Sequence, residues 1–232
     1  RNSAVQTRDA LLQGDTAGAS RSAADAQSHA QAARDATHSL PWNISAALPW
    51  LGSPFKTGQQ ISDVVLALTA DVLKPTADAG TTVAPNRLLS DGRLDVEALR
   101  REEPALRKIA AEAARINTEA KAISDPRYLA VLGEARTQLQ AQTSDIAQLL
   151  GNTALAAKLA PSMMGADGPR SYFMAFQTNA EARGTGGLLG GFGVLRFDNG
   201  QPSVDTLGAN TDLNKPFYPI SIDMEFQQQY GF

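Results

Sequence analysis

The apolar residues of this chain change period once, and that change limits what the chain can fold into. Up to about residue 163 they recur at helical spacing; from Tyr172 they alternate as in a strand, interrupted by glycines and by Asn199-Gly200. Helical periodicity followed by a block of strand alternation reads as α+β, with the helices and the sheet segregated along the chain. The expected architecture is an antiparallel helical bundle over 1–164, followed over 165–232 by the first strands of an α/β sheet domain. Only 25 residues follow Leu207, too few to close a two-faced α/β core, so that domain is expected to be incomplete here.

Within the first block, Ile61, Val64, Val65, Leu68, Val72 and Leu73 fit the i, i+3, i+4, i+7 template. Leu99, Leu106, Ile109 and Ile116 form a second stripe, and Leu129, Leu132, Leu139, Ile146, Leu149 and Leu150 a third. Ala19, Ala23, Ala26, Ala30 and Ala33 mark a helix that a neighbour can approach closely. No heptad persists along the whole block, so the helices fold back on one another rather than forming one long coiled coil. Helices are expected over Val5–Gln13, Thr16–Ser39 and Lys56–Thr82, the last kinked or ended by Pro75. A loop with a turn at Ser90-Asp91-Gly92 leads to Asp95, which caps a helix running from Val96 to about Ile123 and interrupted at Pro104. Asp125-Pro126 opens a further helix, and Gly151-Asn152 closes it before a short one that runs to Met163. Leu40–Phe55 is a break, since Pro41, Pro49 and Pro54 cannot continue a helix. It also holds Trp42, Trp50, Leu51 and Phe55, read either as a plug for the end of the bundle or as an exposed contact patch for a membrane or partner.

Composition removes several functional classes. The net charge of −3 and the scatter of Lys and Arg give no footprint for nucleic acid. With no cysteine there is no disulfide, thiolate site or cysteine nucleophile. The two histidines, His29 and His38, stand in a polar helical stretch far from the glycines and read as surface residues, so no metal site is expected. No apolar run reaches the length of a membrane span, and Arg1-Asn2-Ser3 does not open a signal peptide. The acids and bases of the first block alternate as on a solvated helix face and supply no catalytic constellation.

Candidate chemistry therefore concentrates after residue 170. Tyr172–Gln177 and Leu188–Phe197 read as strands, and Asp198-Asn199-Gly200 as a hairpin turn into Gln201–Leu207. Between the first two strands lie Glu181 and Arg183, beside glycines at 184, 186, 187, 190, 191 and 193. Neither nucleotide-binding glycine spacing is present in its required context. Two readings stay open. The glycines allow bends and close backbone approach in a twisted sheet, or their N–H groups cradle a phosphate with Arg183. Glu181 and Arg183 are correspondingly an internal ion pair or the core of a site. Asp212, Asp223 and Glu225 in the tail read either as ligands or as plain loop acids, the second reading being favoured.

The run GPRSYFMAFQTNAEARGTGGLLGGFGVLRFDNG resembles the signature of the domain of unknown function 4012 family of bacterial envelope proteins. The match rests on Gln177, Asn179, Ala180, Glu181, Arg183, Thr185, Gly186 and Gly187, with departures at Thr178 and at Leu188, where an aromatic is usual. Leu12-x-Gly14-Asp15-x-x-x-Ala19 and Leu48-Pro49-x-Leu51-Gly52 extend it upstream. The resemblance implies an extracytoplasmic protein held to the cell membrane by a helix ahead of this chain. It further implies a second domain distantly similar to the LytR-CpsA-Psr phosphotransferases, which act on polyprenyl-pyrophosphate-linked glycopolymers. On that comparison Arg183 holds phosphate, with Asn179, Gly184, Gly186 and Gly187 lining the ligand and Glu181 assisting. A cell-wall glycopolymer or polyprenyl-phosphate lipid is then the partner, and a divalent cation is the one cofactor the comparison allows.

Overall fold

The computed structural model describes residues 16–49, 51–80, 88–178, 187–214 and 224–230. The helical part is α1 (Thr16–Thr37), α2 (Leu40–Ala47), α3 (Gly52–Ala67), a π-helical segment (Leu68–Leu73), α4 (Lys74–Gly80), α5 (Val96–Lys121) and α6 (Ala130–Met163). The pleated part is a small hairpin, β1 (Leu89–Ser90) and β2 (Arg93–Leu94), and a three-stranded antiparallel sheet. Its strands are β3 (Arg170–Thr178), β4 (Leu188–Asp198) and β5 (Gln201–Ala209) in that order. A 3₁₀ turn (Asn210–Asn214) and α7 (Met224–Tyr230) follow. The fold is α+β.

Four helical rods run up and down: α1, then α3 through α4, then α5, then α6. The core between them is built from the stripes the periodicity marks. Val64, Leu68 and Val72 meet Ile109, Ala113, Ile116 and Ala120 of α5 and Leu139 and Leu150 of α6. Ala19 and Ala23 of α1 are fully buried beside Ala77 of α4, where a larger side chain would hold the helices apart. α5 begins as its sequence requires, with the Asp95 carboxylate accepting from Ala98 N–H at 2.8 Å. At its other end the orphan carbonyls are taken by α6: Gln140 Nε2 donates to Ala120 O at 2.9 Å and Arg136 Nε to Ile123 O at 2.7 Å.

Several expected helix ends are absent. Pro104 lies inside α5 and Gly151 inside α6, which continues for 34 residues. Each residue has a local cost, roughly 3 kcal/mol for proline and about 1 for glycine. Burial of Leu106 against Ala154 and Ala157 just beyond these positions, with Leu99 and Leu150 packed just before them, offsets it. Asp125-Pro126 does not open α6. The Asp125 side chain instead accepts from Arg127 N–H at 2.7 Å, Arg127 takes a φ of 61°, and the helix begins at Ala130. Leu40–Phe55 is not wholly a break, because Pro41 and Pro54 sit in the first turns of α2 and α3, where no N–H partner is needed. Pro75 neither ends nor visibly interrupts its rod. The preceding segment shifts to π register, with Lys74 N–H bonding Thr69 O. Next to it Thr76 Oγ1 is buried without a hydrogen-bond partner among the described residues. Thr76→Val keeps the shape and removes that unsatisfied hydroxyl, so stability is expected to rise by about 1 kcal/mol in denaturant melts.

At one end of the bundle polar groups stitch two connections together. Ser53 Oγ and Thr57 Oγ1 donate to Asp125 O and Ser124 O, at 2.8 and 3.0 Å. Gln60 Oε1 accepts from Ser124 N–H at 2.9 Å, and Tyr128 Oη donates to Leu51 O at 2.6 Å. At the opposite end the sheet is clamped to the bundle through main chain. Leu94 N–H bonds Gly200 O at 3.0 Å, Gly200 N–H bonds Met164 O at 2.8 Å, and Asn199 N–H bonds Gly165 O at 3.1 Å. Gly165 and Gly200 both have positive φ, and a Cβ on either would stand within 2.6 Å of a carbonyl oxygen.

Candidate functional site

The candidate segment is the connection between two paired strands of the sheet, β3 and β4. β3 and β4 pair from Arg170↔Phe197 to Thr178↔Leu188, with a bulge between Phe176 and Gln177. Alternation then gives two apolar faces. One carries Tyr172, Met174 and Phe176 with Leu195 and Phe197. The other carries Phe173, Ala175, Phe192 and Val194. The rings of Phe173 and Phe192 stack at 5.6 Å, and Tyr172 meets Phe197 edge-on at 5.9 Å. Glycine is needed where β5 crosses close by: a Cβ on Gly191 would lie 3.0 Å from Gly208 O, and one on Gly193 3.3 Å from Thr206 O. At those two positions the close-approach reading of the glycines holds.

The connection from Thr178 to Leu188 carries the proposed chemistry. Of its candidate residues the structure describes Gly187, which is buried with a φ of 129°, a conformation that strains any residue with a Cβ. Gln177 Nε2 donates to Gly187 O at 3.4 Å, tying the end of β3 to the entry of β4. Asn179, Glu181, Arg183, Gly184 and Gly186 lie outside the described residues, as does Asp223.

Of the other polar candidates, Asp212 and His38 have structural partners. Asp212 Oδ2 accepts from Ala209 N–H at 2.9 Å and so fastens the 3₁₀ turn to the end of β5. Glu225 is exposed on α7. His29 is exposed, while His38 approaches Asp63 Oδ2 at 3.4 Å and Arg34 O at 3.0 Å. Among the described residues no group of three or more His, Asp or Glu is arranged to hold a metal ion.

One feature was not legible beforehand. Between α5, α6 and Asp167, next to the sheet, lies a cleft of about 370 Å³ lined by Arg100, Glu103, Arg107, Lys158 and Ser162. Arg100 Nη2 binds Asp167 Oδ1 at 2.6 Å, and Arg107 Nε lies 3.5 Å from Glu103 Oε1. The hydrogen bond to Asp167 raises the Arg100 pKa above its ordinary value, opposed by desolvation and helped by the negative charges of Asp167 and Glu97. The two acids thus engage the two arginines and leave Lys158 as the cation of the cleft without an ion pair among the described residues. In sequence these residues read as a solvated charged face. Their i, i+7 spacing on α5 and i, i+4 spacing on α6 was the available signal, but nothing in the sequence says which helix faces which.

No curated protein and no solved structure matches the chain. Residues 167–232, from the edge of this cleft through the three strands of the sheet, match the family described as "Protein of unknown function (DUF4012)", the family that the 177–187 motif resembles.

Proposed function

We propose that the chain is an extracytoplasmic cell-envelope module, in which a helical spacer carries the DUF4012 segment as part of a LytR-CpsA-Psr-like domain. One observation carries the spacer reading: the sheet is joined by two main-chain hydrogen bonds to the end of α6 and by a third to β2, just ahead of α5, rather than by a free linker. A spacer is useful only if the element it carries keeps a fixed position. The cysteine-free chain suits spin labelling at Ser45, at the far end of the bundle, and at Asp205 on β5. Pulsed dipolar spectroscopy is expected to give one narrow distance distribution; a broad one overturns the spacer reading. Recovery of the intact, tagged protein from the cytosol rather than the envelope fraction overturns the location.

A second reading is a phosphotransferase-like enzyme acting on polyprenyl-pyrophosphate-linked glycopolymer, with Arg183 holding phosphate and a divalent cation assisting. What favours it is the stem: the Thr178↔Leu188 pair and Gly187, whose positive φ only glycine takes without strain, fix the residues on either side of the Asn179–Gly186 connection. Removing a charge-assisted phosphate contact costs about 2–3 kcal/mol. Arg183→Ala is therefore expected to weaken binding of a short-chain polyprenyl pyrophosphate by roughly 30- to 150-fold in calorimetry. Equal affinity for both proteins removes the reading.

A further inference from the structure

The bundle end opposite the sheet is built inside out. Its polar groups point inward: Thr57 is fully buried, and Ser53, Thr57, Gln60 and Tyr128 bond backbone across the seam. Its large aliphatic residues point outward. Leu40 is 76% exposed, Ile44 61% and Leu51 51%, with Leu48 also exposed, and these follow one another at helical spacing across α2 and the turn beyond it. Across the seam Tyr128, Leu129 and Val131 are exposed as well, Val131 at 76%. The Tyr128–Leu51 hydrogen bond makes the two sets one patch. Trp42 does not share this exposure: its ring meets Phe55 edge-on, its Nε1 donates to Phe55 O, and a Cβ on Gly58 would strike it. Trp42 and Phe55 are thus the plug, and the aliphatic residues around them are a contact surface.

We propose that this patch docks on an anionic lipid surface. The 16 residues from Leu40 to Phe55 contain no Asp, Glu, Lys or Arg, so no charge is desolvated when they enter the interface. The exposed cations beside the patch are Lys56 and Arg127, and neither has an ion pair among the described residues. The acids at this end are Asp125, which accepts from Arg127 N–H, and Glu134 near the start of α6, against which Lys121 and Arg136 add two further cations. The tip is therefore locally positive on a chain whose net charge is −3, and an anionic surface both attracts it and orients the bundle tip-down. The same charges disfavour a second copy as occupant, because a symmetric tip-to-tip contact sets Lys56 and Arg127 near their own equivalents. Among the described residues no helix is long and apolar enough to cross a membrane, so the tip lies on the surface and does not span it.

The test is co-sedimentation with sucrose-loaded vesicles of 70% phosphatidylcholine and 30% phosphatidylglycerol, using the full chain. The wild type is expected to sediment with these vesicles and at least fivefold less with pure phosphatidylcholine. Ile44→Asp and, separately on the other side of the seam, Val131→Asp are expected to lower the partition coefficient at least tenfold. Leu149→Asp, an equally exposed position midway along α6, should leave it unchanged. Circular dichroism melts confirm that each variant stays folded. Lys56→Glu combined with Arg127→Glu is expected to abolish the preference for anionic lipid. Failure of the wild type to sediment overturns the proposal. So does loss of binding in Leu149→Asp equal to that at the tip, or a tip variant that abolishes a concentration-dependent dimer while leaving vesicle binding intact. None of these outcomes depends on Arg183 or on the spacer reading.

Discussion

Gly200→Ala is expected to destabilise the protein by about 3 kcal/mol, while Gly92→Ala costs only about 1. The two glycines occupy the same place in matching turns. Asp91-Gly92 has φ values of 51° and 74°, and Asn199-Gly200 has 46° and 82°, the paired positive angles of a type I′ hairpin. An alanine at either site meets the left-handed penalty of roughly 1–2 kcal/mol. Their surroundings differ. A Cβ on Gly92 meets nothing within 4 Å, whereas one on Gly200 would lie 1.9 Å from Leu94 O and 3.2 Å from Val96 Cγ1. Leu94 O belongs to backbone and cannot swing aside, so the turn must lift off β2, which adds the roughly 1–3 kcal/mol of an overpacked site. Lifting it threatens the hydrogen bonds from Leu94 N–H to Gly200 O and from Gly200 N–H to Met164 O. Parallel thermal melts give the difference, and the spin-label distance from Ser45 to Asp205 should broaden in Gly200→Ala alone. Equal melting losses for the two variants would show that the close approach contributes nothing.

Both turns were legible because Asn-Gly and Asp-Gly announce positive φ with no help from tertiary structure, and the Asp95 cap was legible for a similarly local reason. What sequence could not supply was the balance between local cost and distant burial. Pro104 and Gly151 carry real penalties, yet the stripes through Leu106, Leu150, Ala154 and Ala157 run straight past them. The π segment before Pro75 is a similar compromise: the rod keeps its direction by changing hydrogen-bond register rather than stopping. The Leu40–Phe55 segment misled in another way. Its aromatic and aliphatic residues look alike in composition, but Trp42 turns in and Leu40 and Ile44 turn out, and only the packing of α2 on α3, where Trp42 meets Phe55 and Gly58, decides which. In the sheet, strands and turns followed from alternation, and the glycines at 191 and 193 from close packing against β5. The Arg100–Asp167 cleft depends on a pairing of α5, α6 and the following turn that no local pattern encodes.

Ile116→Ala is expected to cost about 3–4 kcal/mol, the largest loss from a single truncation in the bundle. Ile116 is fully buried, and it lies midway along the core, where Val72 and Leu68 of the π segment approach α5. Removing its outer carbons leaves a void bounded by three rods, each held by its own hydrogen bonds. The walls therefore close poorly, and the cavity adds to the lost transfer energy. For a chain of this length each kcal/mol lowers the melting midpoint by about 2–4 °C, so a fall of roughly 6–16 °C is expected. Ile116→Val should lose only about 1 kcal/mol. Leu155→Ala, at an exposed position on α6, should stay within about 0.5 kcal/mol of wild type. The ordering matters more than any one value. If Ile116→Ala and Leu155→Ala melt together, the packed seam between the π segment and α5 is not what holds the rods in register, and a rigid spacer between the lipid-facing tip and the sheet loses its physical basis.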